Sequence, residues 1–440
     1  MPIIERPMYL SKLIEKRNNG RVKVITGIRR CGKSFLLSNI YRRYLLGCGV
    51  ENDRIIEIAL DRKTDENLRN PERLYSYVME RVKDGGEHYV FIDEIQLSYR
   101  VKRVSAKEEE MVAPEDRDLL YTTFYDVLND LIAHENIDVY VTGSNSKMLS
   151  SDIVTNFRDR GTEIRMWPLS FAEYYAFKGG DKADAWADYL VYGGMPTAVL
   201  ELDVRERESY LKGLFDTVYR ADIVERYGIE NDFVLDQLAK AVASAVGSLT
   251  NPTKLANTLN TRAHAETNPK TVKSYLSALI DAFVFSKAER YDVKGKKYFE
   301  YPVKYYATDV GLRNALLNFR QIEETHLMEN IVFNELCMRG YLVDVGAVRI
   351  VQMRDGKRHD AMHEIDFVIN RGSQKAYVQC ALSMNEQDKR DQEIAPLLKS
   401  GDFFRKYVII GGSQRPWTDD NGITYMGIIP FLLEKDLLEI

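Results

Sequence analysis

Apolar and polar positions alternate along this chain in two regimes. In the first third, short apolar runs at residues 22–26, 53–60, 89–92, 138–142 and 163–167 alternate with stretches of helical spacing. Met8, Leu10, Leu13 and Ile14 recur at helical intervals, and Asn18-Asn19-Gly20 then breaks the pattern. Helices are predicted over 33–46, 74–83 and 121–134, and a charge-rich stretch without periodicity, 101–118, reads as an exposed insertion. Strands alternating with helices predict an α/β fold with a parallel sheet covered on both faces. After Pro168 the pattern changes. Residues 169–227 read as mostly helical, broken by Gly193-Gly194-Met195-Pro196. Residues 232–315 read as further helices and a hairpin at 284–306 that turns around Lys294-Gly295-Lys296. From about residue 321 a helix leads into a second α/β unit.

Composition changes this picture little. The chain has 440 residues, enough for several domains, and no run of about 20 apolar residues that would cross a membrane. Its first residues carry charges where a signal peptide needs an apolar stretch, so the expected location is the cytoplasm. Cys31, Cys48, Cys337 and Cys380 lie far apart, which argues against a disulfide framework and a zinc site. Net charge is −5, so any nucleic-acid contact needs a local basic surface.

The chemistry is concentrated at the ends of the early strands. Gly27-Ile28-Arg29-Arg30-Cys31-Gly32-Lys33-Ser34, followed by Phe35, matches a phosphate-binding loop with an apolar strand before it and a helix after. The glycines let backbone N–H groups face phosphate oxygens, Lys33 reaches the β- and γ-phosphates, and Ser34 ligates Mg²⁺. The strand at 89–92 runs into Asp93 and Glu94 at the carboxyl edge, where such sheets place ligands. Asp93 is expected to hold the magnesium, and Glu94 to accept a proton from the attacking water or orient it. The strand at 138–142 ends in Gly143, Ser144 and Asn145. Ser144 and Asn145 either meet the γ-phosphate and the water or cap the next helix. Arg158 or Arg160 either stabilises transition-state charge, in the same chain or across a homo-oligomer, or pairs with nearby aspartates at the surface.

ITGIRRCGKS, FIDEIQ and TGSNSKMLSSDIVTNFRDRG followed by WPLSFAEY resemble the AAA-type ATPases of bacteria and archaea that carry a C-terminal domain of unknown function. GGMP, ADIVERYG, TVKSYLSALIDAF and KYYATDVGLRNALL resemble the same family. The resemblance covers nearly the whole chain. It implies an ATPase core at residues 1–168, a helical lid at 169–231, a winged-helix segment at 232–320 and a restriction-nuclease-like domain at 321–440. It also implies ATP rather than GTP. Relatives usually carry glycine between the two arginines, where this chain has Asp159, so the identity of the acting arginine stays open.

Residues 253–304 hold ten Lys or Arg against five Asp or Glu. Lys270, Lys273, Lys294, Lys296 and Lys297 either contact DNA phosphates or solubilise a protein-binding domain. A nuclease-like site needs a helix glutamate, a strand-end aspartate and an acid-X-lysine on the next strand. Glu329 and Asp366 fit the first two, but the third reads Gln379-Cys380-Ala381. Glu364 shares a strand face with Asp366, yet nothing nearby in sequence replaces the lysine. The expected function is therefore a Mg²⁺-dependent ATPase whose C-terminal modules contact DNA or a protein partner, with a degenerate nuclease-like domain. A nucleotide-gated binding module with little turnover and a protein-remodelling ATPase are the alternatives.

Overall fold

A computed structural model describes residues 3–82, 84–144, 160–200, 203–354, 357–384 and 387–438. The chain divides into two compact units, Met1–Met166 and Trp167–Ile440.

The first unit is built on a parallel sheet. Its strands are β1 (Val22–Thr26), β2 (Ile55–Ala59), β3 (His88–Asp93), β6 (Ile137–Gly143) and β7 (Gly161–Arg165), in the order β2-β3-β6-β1-β7. A short ribbon of β4 (Val101–Lys102) and β5 (Tyr121–Thr122) lies in the segment read as an insertion. β1 and β6 are buried at every position, as central strands covered on both faces must be. One face packs Val24, Ile58, Val90, Ile92, Val139 and Val141 against Leu74, Val78, Leu128 and Leu131. On Tyr41 converge the rings of Phe91 and Tyr140, with centroids 5.8 and 5.0 Å away. The helix at 33–47 is continuous but carries a π-type stretch at Leu36–Tyr41.

The amino edge of this sheet holds a buried ion pair. Lys23 is fully buried and pairs with Asp138. Asp138 also accepts from the Tyr140 hydroxyl at 2.6 Å and from the Asn18 amide at 3.0 Å. Burial pulls the Lys23 pKa down, opposed by the charge of Asp138.

The second unit begins with helices, among them Phe171–Lys178, Lys182–Tyr192, Asp232–Ser244, Pro252–Ala263 and Pro269–Asp281. The strands that follow are β8 (Phe285–Asp292), β9 (Lys297–Ala307), β10 (Leu342–Arg354), β11 (Lys357–Arg371), β12 (Gln374–Ala381), β13 (Arg405–Ile410), β14 (Trp417–Thr418) and β15 (Ile423–Gly427). They form one mixed sheet, ordered β14-β15-β13-β12-β11-β10-β8-β9. The hairpin expected from Lys294-Gly295-Lys296 is present as β8–β9. Its first strand also pairs in parallel with β10 through Val345↔Arg290, so the hairpin joins the C-terminal sheet. The Gly193-Gly194 break is a tight junction. The Gly194 amide donates to Asp309 at 2.7 Å, and a Cβ on Gly194 would sit 2.1 Å from the Leu169 carbonyl oxygen.

Removing Asp138 strands a buried ammonium, so Asp138→Ala should cost about 3–5 kcal/mol. Chemical denaturation of the Asp138→Ala and Lys23→Met/Asp138→Leu proteins checks this. The double variant should recover most of the loss.

Candidate nucleotide site

The loop after β1 takes a shape that its glycines permit. Gly27 has φ 142°, and a Cβ there would lie 2.1 Å from the Met166 carbonyl oxygen. Gly32 has φ 101° and leads into the helix at Lys33. Arg30 also adopts a left-handed φ of 65°. Ile28 and Cys31 are buried beneath the loop, and the Arg6 guanidinium donates to the Cys31 carbonyl at 3.2 Å. Lys33 is 4% exposed. Its Nζ donates to the carbonyls of Gly27 at 2.9 Å and Ile28 at 3.1 Å, so the ammonium lies inside the loop's curl. Arg29 lies within the loop, and Phe35 lies in the helix that follows it.

The carboxyl edge brings the acidic pair to this loop. The Ser34 hydroxyl donates to Asp93 Oδ1 at 2.8 Å. β6 lies between β1 and β3, and its Thr142 hydroxyl donates to the same Asp93 oxygen while accepting from the Glu94 amide at 3.0 Å. Glu94 itself sits at φ 53°, turning its side chain out of the strand line. The Gln96 amide donates to the Glu94 carboxylate and approaches Ser144 Oγ at 3.4 Å. Ser144 is buried, 3% exposed. Lys33, Ser34, Asp93, Glu94 and Ser144 thus share one edge. Ser34 and Asp93 offer hard oxygen donors, the set that suits Mg²⁺.

Asn145 and Arg158 lie outside the described residues. Arg160 is described, and it stands at the other edge of the sheet. Its carbonyl accepts from the Val22 amide at 2.8 Å, and Val22↔Gly161 pair at the start of β1. β1 rises roughly 3.3 Å per residue, so its length separates Arg160 from the loop by more than an arginine reaches. This corrects the expectation that Arg160 could serve its own chain's phosphates. Thr142, Gln96 and Arg62 were missed in the sequence. Arg62 lines a small pocket of about 60 Å³ with Ser34, Glu57, Asp65 and Asp93. Burial pushes the Glu57 carboxyl up, opposed by Arg42 and Arg62. A threonine at the end of an otherwise apolar strand was the available signal for Thr142.

In the second unit, Lys270 and Lys273 are exposed in the first turns of helix Pro269–Asp281. Lys294, Lys296 and Lys297 cluster at the β8–β9 turn, and Lys294 Nζ donates to the Arg349 carbonyl at 3.3 Å. Glu329, Glu364 and Asp366 come together, and a lysine does join them. Lys304 of β9 places Nζ 2.8 Å from Glu329, 2.6 Å from Glu364 and 3.9 Å from Asp366. Tyr306 donates to Glu329 at 2.7 Å. Burial pulls the Lys304 pKa down, but Glu329, Asp366 and Glu364 outweigh it and the net direction is up. Burial and Glu329 push Asp366 well above the usual carboxylate range. Gln379 is tied on both sides, accepting from the Asp366 amide at 3.2 Å and donating to Glu393 at 2.9 Å. Among the described residues no group of three or more His, Cys, Asp or Glu is arranged to hold a metal ion.

An AAA domain matches residues 19–175, and two domains of unknown function match residues 183–323 and 324–430. An uncharacterised protein of Haemophilus influenzae is 32% identical over 438 residues, 98% of this chain and 99% of that protein. The chain belongs to that family of AAA-domain proteins. A Methanocaldococcus jannaschii protein, also uncharacterised, is 26% identical over 411 residues, 88% of this chain and 81% of its own length. Similar solved structures include the Aeropyrum pernix ORC1 protein in complex with DNA. It is 13% identical with a TM-score of 0.27, covering 72% of this chain and 93% of that one. Another is AMPPCP-bound DnaA from Aquifex aeolicus, 13% identical with a TM-score of 0.25, covering 62% and 86%.

For this AAA-domain protein, the bridge through Thr142 predicts a graded response. Thr142→Ala should lower nucleotide turnover about 10–100-fold, the usual effect of removing a partner that orients a metal ligand. Thr142→Ser should restore most of it. Steady-state phosphate release checks both, with Lys33→Ala as the inactive reference.

Proposed function

We propose that this protein is a Mg²⁺-dependent ATPase whose nucleotide state governs C-terminal segments that contact DNA or a protein partner. The observation that carries the reading is the convergence of Lys33, Ser34, Asp93 and Glu94 on one sheet edge, with Thr142 bridging Asp93 and Glu94 and Ser34 bonded to Asp93. ATP over GTP follows from the AAA family. Lys33 exchanges its two loop carbonyls for the β- and γ-phosphates. Ser34 and Asp93 would hold Mg²⁺, which would supply neutralising charge for the phosphate oxygens. Glu94 takes the proton of the attacking water, and Gln96 and Ser144 hold that carboxylate in place. Arg62 lines the small pocket at this edge with Ser34 and Asp93, and Arg160 is left to serve a neighbouring subunit's phosphates in a homo-oligomer. That placement favours slow turnover by the isolated chain, which is the gated-module alternative. The four free cysteine thiols support a reducing compartment, the cytoplasm.

Within the second unit we assign residues 169–231 to the lid, 232–320 to the winged-helix-like segment and 321–440 to the nuclease-like segment. Among the carboxylates of the last segment, we read Lys304, contributed by the preceding segment, as filling the place a metal would need. The cluster is then an internal ion-pair network and not a phosphodiesterase. Its nearly buried ammonium supports this reading. Supercoiled plasmid should stay intact with the protein in Mg²⁺ or Mn²⁺, and nicking lost on Asp366→Asn would overturn it.

Glu94→Gln is the decisive test of the ATPase. It should bind ATP normally and turn over at least about 100-fold more slowly. Hydrolysis at the parent rate removes the role assigned to Glu94.

A further inference from the structure

Helices Pro252–Ala263 and Pro269–Asp281 flank an open groove of about 940 Å³. Each begins with proline in its first turn and an asparagine cap. Asn251 accepts from the Lys254 amide at 2.7 Å, and Asn268 accepts from the Lys270 and Thr271 amides at 3.0 Å each. Lys254, Arg262, Lys270 and Lys273 line the groove, and all four are exposed. Between the cations stand short neutral hydrogen-bonding side chains, Thr253, Asn257, Thr258 and Thr261. No carboxylate lines it among the described residues. Across residues 251–273 the only acid is Glu266. An ordinary solvated helix face mixes both signs of charge, and this one does not.

We infer that this groove seats the sugar-phosphate backbone of a nucleic-acid duplex. The inference rests on the proposed contact of the C-terminal segments with a partner, and it selects the partner's class and the surface. Lysine, arginine, threonine and asparagine side chains are the groups that proteins bring to phosphate oxygens. Such a surface binds by releasing counterions, with little regard to sequence. A single strand would be held by aromatic rings under its bases. Tyr301 is the one aromatic residue lining the groove among the described residues, so a stacking platform is not what is built. The lysines at the β8–β9 turn lie outside this lining, which makes them accessory to it. Lys304, counted with the basic segment in sequence, is withdrawn into the carboxylate cluster.

Fluorescence anisotropy of the full chain with a short random-sequence duplex tests this, between roughly 50 and 200 mM salt. The parent should bind with a log–log salt slope of about −3 to −4, as four neutralised phosphates require. The Arg262→Ala/Lys270→Ala/Lys273→Ala protein should bind on the order of tenfold more weakly at about 100 mM salt, with the slope shallower by about 3. Lys270→Arg/Lys273→Arg should retain binding. DNA-free ATP turnover should be the same in all three, which shows that the variants fold. Undetectable duplex binding at low salt would sink the inference, as would an unchanged slope in the triple variant. Tighter binding of the single strand would overturn the duplex assignment. Equal binding of polyglutamate would reassign the groove to an acidic protein. A parent that binds duplex but hydrolyses no ATP would instead overturn the ATPase reading and leave the groove standing.

Discussion

The position of β6 between β1 and β3 governs the chemistry of the first unit. A strand hydrogen-bonded along both edges and buried on both faces has almost no freedom to slide or twist. Its last residues therefore stand at a fixed height beside the phosphate loop and the acidic pair. Thr142 uses that position twice, holding the Asp93 carboxylate and the Glu94 backbone through one hydroxyl. The loop on the other side is equally constrained, since the Met166 carbonyl excludes any side chain at Gly27. The buried Lys33 ammonium is held between these two constrained walls by the Gly27 and Ile28 carbonyls.

In the second unit a buried carboxylate cluster meets a lysine from a different part of the chain. Three carboxylates gathered in a low-dielectric interior repel one another, and some cation or proton must offset them. Here the cation is Lys304, delivered by a hairpin far from the carboxylates in sequence. The hairpin can deliver it because β8 pairs with β10 and joins the C-terminal sheet. A charge that counted toward a basic surface in the sequence becomes an internal counter-ion in the fold. Of the basic residues that remain at the surface, Lys254, Arg262, Lys270 and Lys273 line one groove along two helices.

The sequence by itself determined a good deal. Runs of consecutive apolar residues marked β1, β3 and β6, because central parallel strands bury both faces and tolerate no alternation. The glycine-rich loop at 27–34 and the strand end at Asp93-Glu94 could each be read locally, because each is a short contiguous stretch of the chain. The β8–β9 hairpin was legible for the same reason, from its Lys294-Gly295-Lys296 turn. Only the tertiary structure decided the rest. Sheet order placed Thr142 against Asp93 and sent Arg160 to the opposite edge, since strand neighbours are chosen by packing and not by proximity in the chain. In the sequence Lys304 counts only as one of the ten Lys or Arg of residues 253–304. Its burial beside Glu329 and Glu364 follows from long-range strand pairing, which leaves no local trace in the residues that make it.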